Sequence, residues 1–122
     1  MAAVSIAFST PETSGKACPS QARPIDLVHL AAQTMGDKGL EIEVLEMFSR
    51  QSRRILQDMS GAAPEALAAA AHRLKGSARG VGAFRVADAA ARLEENATDP
   101  TRLAALGAAV IEAEDFIQHL CR

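Results

Sequence analysis

The sequence predicts an all-α protein: an up-and-down antiparallel four-helix bundle with a short extra helix at its N-terminal side. Three observations carry this expectation. Ala and Leu, both strong helix formers, dominate the chain, and the aromatic residues that favour strands are reduced to four Phe, with no Tyr and no Trp. Apolar residues recur at helical spacing from residue 27 to residue 120. Capping residues, Pro and Gly fall between those periodic stretches, where helices have to stop and restart. The 122 residues, 48% of them apolar, suffice for one compact domain and not for two.

Residues 1–23 read as a disordered tail, because Ser, Thr, Pro, Gly and Lys interrupt every short apolar stretch and little surface can be buried against the ordering entropy. The bundle is expected over 24–122. A short helix starts near Asp26 with Leu27, Leu30, Ala31 and Thr34 on one face, and Met35-Gly36-Asp37 breaks it. Asp37 can cap the second helix, whose apolar stripe reads Leu40, Val44, Phe48, Ile55 and Met59 and which ends near Ser60-Gly61. Pro64 suits the first turn of a third helix, where its missing N–H is not needed. Leu67, Ala70, Leu74, Ala78 and Val81 form its stripe, and Gly80 and Gly82 end it. A fourth helix runs from about Ala83 to Asn96 with Val86, Ala87, Ala90 and Leu93 inward. Thr98-Asp99-Pro100 restarts the chain, and Leu103, Leu106, Val110, Ala113, Ile117 and Leu120 make a bundle seam in the last helix. Short loops between long amphipathic helices imply antiparallel neighbours.

Composition excludes several functions. A net charge of −2 without a dense Lys/Arg stripe gives no footprint for nucleic acid. No apolar run approaches the roughly 20 residues that span a bilayer. The N-terminus lacks a basic region followed by an apolar one, so no secretory signal is expected. Cys18 and Cys121 lie near opposite ends, which argues against a disulfide framework and for the cytoplasm. No Gly-rich loop precedes a helix in a strand–turn–helix context, so nucleotide binding and autokinase activity are not expected. His119 and Cys121 are poorly spaced as metal ligands on a helix, and no metal site is expected. Met35, Met47 and Met59 read as core or loop fillers, and the cluster Arg50, Arg53, Arg54 reads as a solvated face before an anion site.

The stretch that carries chemistry is His72-Arg73-Leu74-Lys75-Gly76-Ser77-Ala78-Arg79. Around a helix axis Lys75 lies about 60° from His72, Gly76 and Ala68 about 40°, and Arg79 about 20°, while the core residues Leu74 and Val81 lie about 160° and 180° away. His72 therefore points out of the core into a patch of small and cationic side chains. Gly76 costs roughly 1 kcal/mol relative to Ala in a helix interior. It faces the same way as His72, so it removes bulk beside the imidazole and lets a partner's surface approach. Ala68, Ala69, Gly76 and Arg79 make up the surface such a partner would meet. Lys75 and Arg79 are expected to disfavour the imidazolium, keeping the ring nucleophilic, and to favour a phosphoryl group once attached.

His72-x-Leu74-Lys75-Gly76-Ser77-Ala78, followed by Gly82-Ala83, resembles the signature of histidine-containing phosphotransfer (HPt) domains. Pro24-Ile25-Asp26-Leu27, Gly36-Asp37 and Leu93-Glu94 are similar to the family's flanking pattern, so that the resemblance covers about residues 24–121. It implies a four-helix bundle with an exposed phospho-accepting His, here His72, acting through Nε2. It implies exchange with aspartyl phosphates on response-regulator receivers or the receiver of a hybrid histidine kinase. Lys75 would steady the phosphoryl group, Gly76 would clear space for the receiver, Gly82 would close the helix, and Ser77 would either support the site or bond its own helix backbone. Arg79, where the family often has a small or neutral residue, either tunes which receiver docks or is merely solvated. Phosphoryl transfer rests on positioning and charge stabilisation, so a carrier without turnover of its own needs little machinery. The receiver would bring carboxylates and Mg²⁺, and this chain no cofactor. A monomer is the simpler expectation.

Two other functional classes compete. One is a helical module that binds receivers without transferring phosphate, against which an intact His72 and Lys75 argue. The other is a kinase fragment. A His-bearing dimerisation domain usually places an acid directly after its His, where this chain has Arg73. The phosphoacceptor domain of a chemotaxis kinase would carry further domains, for which this chain is too short.

Overall fold

The computed structural model describes residues 23–121. The predicted tail lies outside the described residues except for Arg23, and so does Cys18. Five helices follow in order: α1 (Leu27–Thr34), α2 (Lys38–Met59), α3 (Pro64–Val81), α4 (Phe84–Glu95) and α5 (Pro100–Leu120), with no strand among the described residues. α2 packs on α3, α3 on α4, α4 on α5 and α5 back on α2, which closes the four-helix bundle; α1 lies against α2 and α3. No helix of the described chain is long and apolar enough to cross a membrane.

The helix ends follow local chemistry. The Asp26 carboxylate accepts from the Val28 and His29 N–H groups at 3.0 and 3.1 Å, that of Asp37 from Leu40 N–H at 3.1 Å, and that of Asp99 from Thr101 N–H at 2.9 Å. Each satisfies an N-terminal donor that the helix itself cannot. Pro64 and Pro100 occupy first-turn positions. The chain turns out of α1 through Met35 and Gly36, both with positive φ.

The stripes of α3 and α4 are buried as the spacing predicts: Leu67, Ala70, Leu74, Ala78 and Val81, then Val86, Ala87, Ala90 and Leu93. The stripe of α2 differs. Phe48, Ile55 and Met59 are inside, but Leu40 is exposed and Val44 only half-buried, and the inward positions are Glu41, Leu45 and Ser52. The full seam is thus 41, 45, 48, 52, 55 and 59, whose intervals alternate four and three. Its polar members are satisfied locally. The Ser52 hydroxyl donates to Phe48 C=O at 2.8 Å, and Glu41 Oε2 lies 3.3 Å from the Thr34 hydroxyl and Oε1 3.5 Å from Lys38 Nζ. In α5, Leu106, Val110, Ala113 and Ile117 are buried, whereas Leu103 is half-buried and Leu120 exposed because the seam runs out at the helix end. Of the methionines, Met59 is core and Met35 a loop residue as expected, but Met47 is exposed on α2.

Arg53 also departs from a solvated face. Its guanidinium reaches across to α5 and grips the buried Glu114 carboxylate with both Nε and Nη2, at 3.1 and 2.7 Å. Such a bidentate pair fixes orientation as well as distance.

Gly82 ends α3, while Gly80 stays helical within it. Gly82 adopts φ 86°, and Ala83 N–H closes back on Ala78 C=O at 2.8 Å. Its carbonyl accepts from Asp26 N–H at 2.8 Å, which straps the start of α1, with fully buried Ile25 beneath it, over the α3–α4 turn. A Cβ at residue 82 would meet Asp26 O at 2.9 Å, whereas one at Gly80 would meet nothing within 4 Å. Gly82→Ala is therefore expected to cost about 2–3 kcal/mol through left-handed strain and displacement of the strap. Gly80→Ala should instead stabilise the chain by about 0.5–1 kcal/mol. Denaturant melts of the two variants check this, and equal effects would rule out the strap.

Candidate functional site

The site begins with the spacing of α3 and α4. The two helices pack on each other, and their buried faces are rich in alanine: Ala70, Ala71 and Ala78 on one, Ala87 and Ala90 on the other. Side chains that end at Cβ let helix axes approach closely. Glu94 follows the buried Leu93 at the edge of this seam, and its carboxylate reaches α3.

There it meets two partners. Glu94 Oε2 lies 2.9 Å from His72 Nδ1, and Lys75 Nζ donates to Glu94 Oε1 at 2.7 Å. The His72 side chain is 67% exposed, but that of Lys75 is only 19% exposed, because it lies along the groove between the helices. One carboxylate thus orients the imidazole and the ammonium together. A carboxylate can only accept, so the neutral ring places its hydrogen on Nδ1 and leaves the Nε2 lone pair pointing away from the protein. Nε2 has no hydrogen bond among the described residues.

This corrects the expectation that two cations border the imidazole. The charged group in contact with the ring is a carboxylate. Lys75 is joined to the ring through it, and Arg79 is exposed on the same flank with no ion pair among the described residues. The Lys75 ammonium, and after it the His72 ring, hold the Glu94 carboxyl below its ordinary value of 4.5 by hydrogen bonding to it.

The other singled-out residues fall as follows. Gly76 and Ala69 are exposed and Ala68 is half-buried, all on the His72 side of α3. A Cβ at Gly76 would touch nothing within 4 Å, so the fold itself does not require glycine there. Ser77 is half-buried and its hydroxyl makes no hydrogen bond among the described residues, so the side chain does not bond its own helix backbone. Gly82 lies at the end of α3, away from the ring. The other histidines are placed elsewhere: His29 sits edge-on to Phe84 with centroids 5.2 Å apart, and His119 Nδ1 donates to Asp115 C=O on its own helix at 2.8 Å. Among the described residues no three His, Cys, Asp or Glu side chains are grouped in a way that could hold a metal ion.

The residue of the candidate site that the sequence does not single out is Glu94. It was visible only as half of the pair Leu93-Glu94. The signal that could have found it is its position directly after the last buried residue of α4, beside the helix that bears His72.

A family model described as Hpt domain matches residues 43–120. No curated protein and no solved structure matches the chain.

Glu94→Ala tests the arrangement. In the parent chain at neutral pH, nitrogen NMR is expected to show the neutral His72 ring protonated at Nδ1, and in the variant a shift toward the Nε2–H form. An unchanged tautomer ratio would remove the orienting role. The pH dependence has a definite sign. A carboxyl held below its ordinary value contributes stability above about pH 4.5 and loses it as pH falls through the lowered folded-state value. The parent's stability advantage over Glu94→Ala should accordingly vanish in acid and persist at neutral pH.

Proposed function

Since the chain belongs to the Hpt domain family, whose members carry phosphoryl groups in phosphorelay signalling, we propose that it is a phosphorelay intermediate with His72 as its acceptor. The observation that carries this reading is the exposed His72 ring held at Nδ1 by Glu94. In the proposed step the Nε2 lone pair attacks phosphorus of a receiver's aspartyl phosphate. The N–P bond forms as the P–O bond to the aspartyl oxygen breaks, and the receiver's carboxylate leaves with that electron pair. The ring becomes positive as it is phosphorylated, and its remaining hydrogen, on Nδ1, points at the Glu94 carboxylate. The charge that develops is thus met by a group already in place, which lowers the reorganisation required.

Lys75 lies one turn from His72 and is already tethered at Glu94 Oε1, a position from which its ammonium can serve the incoming phosphoryl oxygens. Gly76 and the alanines Ala68 and Ala69 leave the approach to Nε2 low. The reverse step, to a second receiver, uses the same geometry, because acyl phosphate and phosphoramidate are both high-energy. In this reading the chain works as a cytoplasmic monomer, has no turnover of its own and needs no cofactor. The receiver brings its own carboxylates and Mg²⁺.

The test is transfer itself. Incubation with phosphorylated receivers is expected to leave a label on the chain that is lost in acid and stable in base. His72→Gln should abolish it with helical content unchanged. Label retained on that variant would move the acceptor elsewhere, and no label from any receiver of the source cell would leave a binding module only. Gly76→Leu should stay folded and slow transfer roughly tenfold or more, as displacement of a reacting partner does. An unchanged rate would end the steric argument.

A further inference from the structure

The flank of His72 opposite Glu94 leads into a groove between α2 and α3 with a volume of about 330 Å³. Arg50 and Arg54 from α2 and Arg73 from α3 line it together with Met47, Ile55 and a single acid, Asp58. All three arginines are exposed, and none makes an ion pair among the described residues. Their neighbour Arg53 is turned the other way, onto Glu114. In a chain of net charge −2, three guanidinium groups are therefore gathered at one groove whose lining holds a single carboxylate, while Glu46 lies beside Arg50 on its other flank.

The groove lies beside the site, since Arg73, which lines it, follows His72 directly in α3. Around α3, Gly76 and Ala69 lie about 40° and 60° from His72, and Arg73 about 100° on the same side. On the α3 surface, only a hydrogen atom and a methyl group therefore flank the imidazole on the side that Arg73 occupies. Met47, an exposed and adaptable thioether on α2, gives the groove an apolar contact beside its charges.

We propose that this groove seats an acidic edge of the receiver domain that exchanges phosphate with His72, and that Arg50, Arg54 and Arg73 select the receiver by its charge. The proposal rests on the phosphorelay reading above, and it adds the chemistry of the partner surface. Carboxylates of the partner meet the arginine forks, an apolar side chain meets Met47, and the low ground at Ala69 and Gly76 lets the aspartyl phosphate come over Nε2. Guanidinium groups hold carboxylates bidentately, so the contact fixes register as well as steering the encounter.

The test compares the parent chain, Arg50→Glu/Arg54→Glu, the milder Arg50→Gln/Arg54→Gln and Arg73→Glu, with Arg92→Glu in the groove between α4 and α5 as a distant control. Single-turnover labelling by the phosphorylated receiver that serves the parent best is measured against receiver concentration at low and high salt. Labelling by phosphoramidate, which needs no docked protein, is measured in parallel. The charge reversals should raise the half-saturating receiver concentration roughly tenfold or more and flatten its salt dependence. The limiting rate, the phosphoramidate labelling and the control should stay as in the parent. Receiver saturation and salt dependence unchanged in all groove variants would overturn the proposal while leaving phosphotransfer intact. A concentration-dependent dimer that the reversals abolish would give the groove to a second copy and overturn it too. Labelling of the parent by phosphoramidate but by no receiver would fail the phosphorelay reading first, and the groove's occupant with it.

Discussion

The separation of α3 from α4 is the quantity on which the site depends. A glutamate side chain is short, and it spans the two helices only because their facing surfaces are built of alanine. The two-residue turn Gly82–Ala83 holds the pair together at one end, and the strap through Asp26 holds that turn. Packing and chemistry are therefore one constraint. A longer side chain at Ala71, Ala78, Ala87 or Ala90, all buried, would have to displace its surroundings to fit.

Given that separation, one carboxylate performs two tasks that are usually opposed. It sets the imidazole hydrogen on the inner nitrogen, which frees the outer one, and it keeps an ammonium nearby without letting that ammonium face the ring. A bare cation beside the imidazole would make the ring harder to charge at the moment its lone pair is donated. In the proposed transfer a carboxylate in between would make the same moment easier, and the cation remains within one helical turn of His72.

Much of the fold was legible because its stop and start signals are local. Asp26, Asp37 and Asp99 cap the helices they precede, Pro64 and Pro100 open theirs, and Gly82 closes α3, all for reasons that involve only a few neighbouring residues. The exposure of His72 was legible too, since helical periodicity alone sets its angle to Leu74. The stripe of α2 was misread because two of its inward residues, Glu41 and Ser52, are polar, and their hydrogen-bond partners are what make burial tolerable. Glu94 and Arg53 were missed for a related reason. Each acts across a gap between helices, and no spacing within one helix reports that.

Gly76 and Gly82 stand in one helix and its cap, yet they answer to different pressures. At Gly82 the chain's own backbone forbids a side chain. At Gly76 nothing among the described residues does, and alanine would even strengthen the helix. Under selection for solubility or thermal endurance alone, with no companion to serve, Gly76 would be among the first positions to drift and Gly82 among the last. A lineage that keeps both glycines is one in which another molecule still votes on the sequence.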